Sequence, residues 1–196
     1  MGRVTTEFTM SLDGFIADAN DGIGEIFGWY GSGDTEFVAP HSDLKFMISA
    51  ASKAWLDEEW SQLGALVTGR RDFDVSKAWG GKALLGVPTF IVTHNPPAEW
   101  VYDGSPFQFV TEGVEHAVAL GKQAAGDKVL GIGGTQIVQQ ALNLGLIDEI
   151  HLHIVPVVLG AGIRLFDRLT VTPLHLEQRK VVTGHGVTHI KYAVTR

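Results

Sequence analysis

The sequence predicts an α/β fold of three layers, with a central mixed, mostly parallel sheet between helices and a C-terminal antiparallel hairpin. Three observations predict it. Short β-branched or apolar runs alternate with segments of helical periodicity through the middle of the chain. Glycines or polar turn residues stand where several of those runs end, at Gly69, Thr93 and Gly133. Two alternating segments, Leu174 to Val182 and Val187 to Val194, flank Thr183-Gly-His-Gly186, which has the composition of a hairpin turn.

The elements follow in order. Val4 to Met10 is a β-branched strand leading to Ser11-Leu-Asp-Gly-Phe-Ile-Ala, where Asp13-Gly14 signals a turn. Residues 18–33 hold five glycines, the composition of a disordered loop or a binding flap, and Trp29 and Tyr30 within them favour the flap. Within residues 37–49, Asp43 to Ser49 fits either a helix start or a short strand, with strand preferred, and Ala50 to Leu63 reads as a helix that Gly64 stops. Ala65-Leu-Val-Thr is a short buried strand ahead of Gly69-Arg70-Arg71, and Asp72 to Trp79 a short helix. Pro88 to Thr93 and Phe107 to Thr111 are strands, and Val114 to Ala125 is a helix with Ala117, Val118, Leu120 and Ala124 on one face. Ile147 to Leu159 is a long strand in which Pro156 marks a bulge or an unpaired edge.

The chain of 196 residues suits one domain, residues 1–196, large enough to bury its own core. It is 45% hydrophobic and only 19% charged, a globular composition. A formal charge of −7 disfavours nucleic acid and acidic membrane surfaces as partners, so an anionic ligand needs a local basic pocket. There is no cysteine, which excludes disulfides, thiolate metal sites and a cysteine nucleophile. No apolar run approaches the roughly 20 residues that span a bilayer, and the start lacks a signal-peptide pattern, so the expected location is cytoplasmic. The long apolar strand and closing hairpin would leave a sheet edge exposed, and a homodimer is the expected way to cover it.

The stretch that organises the chemistry is Lys128 to Leu142, KVLGIGGTQIVQQAL. An apolar strand breaks at Gly133-Gly134, and a helix with Ile137, Val138, Ala141 and Leu142 on one face begins at Thr135. Two glycines let a ligand approach the backbone, and a helix start offers N–H groups and partial positive charge, which suits phosphate. A tight strand–helix junction without a ligand has the same appearance. Ligands in open α/β sheets sit at the carboxyl ends of strands, and Gly69-Arg-Arg and Thr93-His-Asn mark two more such ends. Arg70 and Arg71 supply charge that matches phosphate in fork geometry. His151 and His153 share one side of a strand; without a third ligand they fit an exposed face or a subunit contact better than a metal site. No G-x-S-x-G elbow supports a serine hydrolase.

Taken together, SLDGFIA, VTGRRDFD, FIVTHNPP, LGIGGTQIVQQAL and IDEIHLHIVPVVLGAGIRLF resemble the dihydrofolate-reductase-like family, and within it the reductase half of bacterial riboflavin-biosynthesis proteins, the RibD C-terminal-type domain. The resemblance implies an NADPH-dependent reductase acting on a small heterocycle or carbonyl compound, similar to the 5-amino-6-(5-phosphoribosylamino)uracil reductase. It implies that Ile16 and Ala17 line the nicotinamide and that Asp13, the candidate catalytic residue, lies on the substrate side. Gly69, Arg70 and Arg71 would hold phosphates, and Thr93, His94 and Asn95 the adenosine end with its 2′-phosphate. Ile132, Gly133, Gly134, Thr135 and Gln136 would hold the pyrophosphate. No metal is implied. Asp72 departs from the family, which often carries threonine there, and the acidic substrate residue of dihydrofolate reductases has only Asp43 as a nearby counterpart. The alternative is a non-catalytic NADP-binding or sensing module on the same fold.

Overall fold

The structure, a computed structural model, describes residues 2–195. Its strands and helices run β1 (Val4–Ser11), β2 (Phe15–Ala17), β3 (Thr35–Val38), β4 (Lys45–Ile48), α1 (Ala50–Ser61), β5 (Leu63–Gly69), α2 (Arg70–Val75), β6 (Thr89–Val92), β7 (Phe107–Val110), α3 (Val114–Ala125), β8 (Val129–Ile132), α4 (Thr135–Asn143), β9 (Glu149–Val155), β10 (Ile163–Arg164), β11 (Leu176–Gly184) and β12 (Val187–Val194). Eight of the strands form one sheet in the order β11-β12-β9-β1-β8-β5-β6-β7. The pairs β1–β8, β8–β5, β5–β6 and β6–β7 are parallel, whereas β9–β12 and β12–β11 are antiparallel. The fold is α/β with a mixed, mostly parallel sheet and a closing hairpin, as the sequence predicts. No helix among the described residues is long and apolar enough to cross a membrane.

Packing divides the chain into two compact units. One comprises residues 2–6, 62–148 and 169–171. Its parallel strands bury Val67, Ile91, Leu130 and Ile132 nearly completely, which is why they read as short apolar runs. Helix α3 approaches them closely because Gly121 has no side chain: a Cβ there would lie 2.7 Å from Leu130 and 3.1 Å from Val67. Gly64 serves the same purpose inside β5, where a Cβ would meet Lys128 at 2.7 Å, so it is a close-approach residue of the strand rather than a helix stop. The helix expected over residues 72–79 instead begins at Arg70 and ends at Val75, since Lys77, Ala78 and Trp79 all turn to positive φ. Phe73 drops into an aromatic cluster there, edge-on to Phe107 with centroids 5.1 Å apart.

The other unit comprises residues 7–61, 149–168 and 172–195. Its core gathers Ile26, Trp29, Phe37, Ile48, Trp55, Leu56, Val155 and Val187. Trp29 is therefore a core residue, 2% exposed, with Tyr30 stacked on it at 4.0 Å and its indole N–H donated to Thr9 Oγ1 at 3.2 Å. The glycine-rich segment expected to be a flap carries its largest aromatic side chain inward. Strand β9 stops at Val155, short of the expected Leu159. Pro156 has no N–H to continue the ladder, and the carbonyl of Val157 instead accepts the N–H of Leu12 at 2.8 Å.

Candidate functional site

In the first unit, β5, β6 and β8 are parallel, and the loops at their carboxyl ends carry the residues singled out in the sequence. Gly69 pairs with Val92, and Val67 with Ile132, so the Gly69-Arg70-Arg71, Thr93-His94-Asn95 and Gly133-Gly134 segments leave from one end of this part of the sheet. The turn after β8 is fixed from both flanks. Thr6 Oγ1 donates to the carbonyl of Ile132 at 2.8 Å, and Gly133 N–H donates to the carbonyl of Val67 at 2.8 Å.

Gly134 is the N-cap of α4, with φ 72°, ψ 116° and no side-chain cap. A Cβ at Gly134 would lie 3.0 Å from both the Gly69 nitrogen and Thr68 Oγ1, so conformation and space both demand glycine. The carbonyl of Gly134 accepts the N–H groups of Ile137 and Val138 at 3.0 Å each, which starts the helix. Helix α4 buries Ile137, Val138, Ala141 and Leu142, the face expected from their spacing. The result is a glycine turn opening directly onto a nine-residue helix, a backbone arrangement suited to an anion.

Arg70 is committed to the protein. Its Nε donates to Asp74 Oδ1 and Oδ2 at 2.8 and 2.9 Å, and its Nη1 to the carbonyl of Asn95 at 2.7 Å. It thereby ties the start of α2 to the loop after β6, where Thr93 Oγ1 also accepts the N–H of Asn95 at 3.2 Å. Arg71 and His94 are exposed on the same two segments. Asp72 turns inward: its Oδ2 accepts the Thr68 hydroxyl at 2.7 Å. Burial pushes the Asp72 carboxyl above the ordinary aspartate range, against the opposing effect of the Thr68 hydrogen bond. Thr68 was not singled out from the sequence, yet it faces Asp72 and both glycines of the turn.

In the second unit, Asp13 pins a neighbouring loop. Its Oδ1 accepts the Ser11 hydroxyl at 2.7 Å and the Leu159 N–H at 3.1 Å, and its Oδ2 accepts the Gly160 N–H at 2.7 Å. The Ser11 hydrogen bond, followed among the favourable causes by those of Gly160 and Leu159, pulls the carboxyl down to about 2. Asp13 is thus an acceptor near neutral pH, ill suited to donate a proton. Ile16 and Ala17 lie in β2, paired with β10 through Ala17 and Ile163.

The exposed-face reading of His151 and His153 is corrected by their burial, 2% and 3% exposed. His151 sits between Glu59 and Glu149, its Nδ1 3.4 Å from one carboxylate and its Nε2 3.2 Å from the other. His153 Nε2 lies 2.9 Å from Glu7 Oε1, and its Nδ1 2.7 Å from His189 Nδ1. His189 Nε2 then meets Ser52 Oγ at 2.8 Å. The indole N–H groups of Trp55 and Trp60 donate to the Glu7 carboxylate at 3.3 and 3.2 Å. Burial opposes ionisation of Glu7, but hydrogen bonding and charge from His153, with help from His151 and Trp55, outweigh it and hold the carboxyl at about 2. Among the described residues, no three His, Cys, Asp or Glu side chains are grouped to hold a metal.

The profile of the RibD C-terminal domain matches residues 3–190. The chain belongs to the RibD C-terminal domain family. A curated relative, the uncharacterized protein YwjB of Bacillus subtilis (strain 168), is 27% identical over 179 residues, 87% of each chain. A Shewanella sp. PV-4 protein named for riboflavin biosynthesis superposes with a TM-score of 0.73 at 22% identity, covering 99% of both chains. A Thermotoga maritima diaminohydroxyphosphoribosylaminopyrimidine deaminase/5-amino-6-(5-phosphoribosylamino)uracil reductase gives 0.66 at 13% identity; 99% of this chain covers 57% of that longer one. A pyrimidine reductase-like protein of Corynebacterium diphtheriae gives 0.61 at 15% identity, covering 100% of this chain and 92% of that one. At these identities the structural likenesses establish the fold, and this RibD C-terminal-type chain must be read for function through its own residues.

Proposed function

We propose that the chain is an NADPH-dependent reductase that transfers hydride to a small heterocyclic or carbonyl substrate, similar to the 5-amino-6-(5-phosphoribosylamino)uracil reductase. The observation that carries the proposal is the Gly133-Gly134 turn. Gly134 packs against the Gly69 nitrogen and Thr68 Oγ1 too closely for a side chain, and α4 begins there without a side-chain cap, so bare backbone opens the helix, which suits a diphosphate. Ile132, Gly133, Gly134, Thr135 and Gln136 would hold the pyrophosphate. Gly69 and Arg71 would take phosphate oxygens, while Arg70 holds Asn95 so that Thr93, His94 and Asn95 meet the adenosine end. Ile16 and Ala17 would line the nicotinamide. NADPH supplies the hydride when bound; the protein orients it and excludes water.

Asp13 would serve on the substrate side as an ionised acceptor, holding the Leu159-Gly160 loop and orienting a donor group of the substrate. The proton that accompanies hydride transfer would then come from solvent. The cytoplasmic location, the action as one domain and the homodimer belong to the same proposal. The decisive experiment follows NADPH oxidation by absorbance across a panel of heterocycles and carbonyl compounds, alongside fluorescence titration of NADPH. Turnover of any member supports the reductase. Binding without turnover points to the non-catalytic nucleotide-binding module, and absence of NADPH binding by folded protein overturns both.

A further inference from the structure

We propose that Asp72 controls which anions the Gly133-Gly134 turn accepts: its carboxylate opposes a diphosphate there, and binding requires that Asp72 take up a proton. The inference rests on the nucleotide-binding reading of that turn. Its basis is position. Asp72 lies in the first turn of α2, and its Oδ2 is 3.7 Å from where a Cβ of Gly133 would stand. The Thr68 hydroxyl that binds this oxygen is itself 3.0 Å from the Cβ position of Gly134. The Thr68–Asp72 pair therefore borders both glycines, and a ligand seated on them meets a carboxyl group.

The effects that act on the Asp72 carboxyl are burial, which favours its neutral form, and the Thr68 hydrogen bond, which favours the ionised one. Of the charged groups nearby, α2 itself carries Arg70, Arg71 and Asp74, and the Arg70 guanidinium is turned to Asp74 and to the Asn95 carbonyl. The loop after β6 contributes His94. Strand β5 offers Thr68 and Gly69, and the start of α4 offers Thr135 and Gln136, none of them charged. Burial already favours the neutral carboxyl. A diphosphate brings further negative charge close by, and the cheapest response is protonation from solvent. As a carboxylic acid, Asp72 gains an O–H donor and changes from an obstacle into a partner for a phosphate oxygen.

The test compares the parent with Asp72→Asn, which keeps an oxygen to accept the Thr68 hydroxyl but carries no charge. Calorimetric titration with NADPH at one pH, in buffers of different ionisation enthalpy, counts protons taken up on binding. The parent should take up more protons than Asp72→Asn, a difference that cancels any contribution of the ligand's own phosphates. At pH 8, Asp72→Asn should bind NADPH at least about tenfold more tightly, and the gap should narrow as pH falls. Thr68→Val, which removes the hydrogen bond that stabilises the carboxylate, should move proton uptake to higher pH. Circular dichroism checks folding, and Asp72→Ser replaces Asp72→Asn if the amide is not accommodated. Equal affinity and equal proton uptake in parent and variant overturn the inference while leaving the nucleotide reading intact. Failure of both folded proteins to bind NADPH overturns that reading and the inference with it.

Discussion

His153 and His189 face each other through their Nδ1 atoms at 2.7 Å, so one of the two rings donates and the other accepts. A proton on both nitrogens would destroy the contact. The rest of the chain fixes where acid enters: His153 Nε2 faces the Glu7 carboxylate, and His189 Nε2 faces the Ser52 hydroxyl. Burial and the charge of His153 depress His189 to about 3, against a smaller opposing effect of Glu7. His189 is therefore neutral in the folded protein and titrates near 6.5 once unfolded.

Acid should destabilise the protein through this network. For His189 the folded value is the lower one, so its contribution is complete above about pH 6.5 and disappears as pH falls toward 3. Glu7 has the same sign, with its contribution complete above 4.5 and lost as pH falls toward 2. The His189 part is on the order of 3–5 kcal/mol at full titration. Denaturant unfolding from pH 7.5 to 4 should show stability held down to about pH 6.5 and lost progressively below it. Replacing His189 with Gln should cost about 1–3 kcal/mol at pH 7, because His153 Nδ1 loses its partner. The same variant should lose less on acidification; an acid profile as steep as the parent's would acquit His189.

This network marks the limit of what the sequence discloses. The positions of α3 and α4 were legible because each rests on local pattern: α3 occupies the expected span of residues 114–125, and α4 starts at Thr135 as its glycines announce. The shared side of His151 and His153 was legible too, from a spacing of two. Their burial was not, because it depends on Glu7, Ser52, Glu59 and His189, brought in from β1, α1 and β12. Trp29 misled for the same reason, since a glycine-rich loop gives no local sign that its indole will be core. At the candidate site, the glycines and arginines stood out as residue types, but Thr68 reads as an ordinary strand residue until Asp72 folds back onto it.

Substitution at Asp13 should loosen the loop it holds. Asp13→Ala removes the acceptor of the Leu159 and Gly160 N–H groups, so both amides should exchange hydrogen faster than in the parent. Asp13→Asn retains one amide oxygen and should protect one of them better than the other. Unchanged exchange at Gly160 in Asp13→Ala would show that the loop stands without the carboxylate.

The two glycines of the turn should respond differently. Gly134 combines φ 72° with Cβ contacts at 3.0 Å, so Gly134→Val damages the fold itself, by roughly 1–3 kcal/mol or more, before any ligand is considered. At Gly133 a Cβ would meet Thr68 Oγ1 at 3.2 Å, a contact that a small shift of the hydroxyl relieves. Gly133→Ala should therefore melt close to the parent while binding NADPH several-fold more weakly. Full NADPH affinity in a folded Gly133→Ala would mean that the ligand does not approach this backbone.

Arg70 and Arg71 divide the work of the GRR segment, and the partners of Arg70 make the division measurable. With Nε on Asp74 and Nη1 on the Asn95 carbonyl, Arg70 spans two segments, and its exposed ion pair with Asp74 contributes only about 0.3–0.5 kcal/mol. Arg70→Ala should change global stability little but speed hydrogen exchange in residues 93–95, and NADPH affinity should fall through the disordered loop. Lysine cannot make both contacts at once, so Arg70→Lys should restore only part of the loss. Asp74→Ala separates this role from direct phosphate binding. If Arg70 acts by holding Asn95, removing Asp74 leaves NADPH affinity within about twofold; if the guanidinium is a phosphate ligand restrained by Asp74, affinity rises when that restraint is gone. Arg71→Ala should cost roughly 1.5–3 kcal/mol of NADPH affinity if Arg71 binds a phosphate directly. Should NADH binding fall equally, Arg71 belongs to the pyrophosphate rather than the 2′-phosphate.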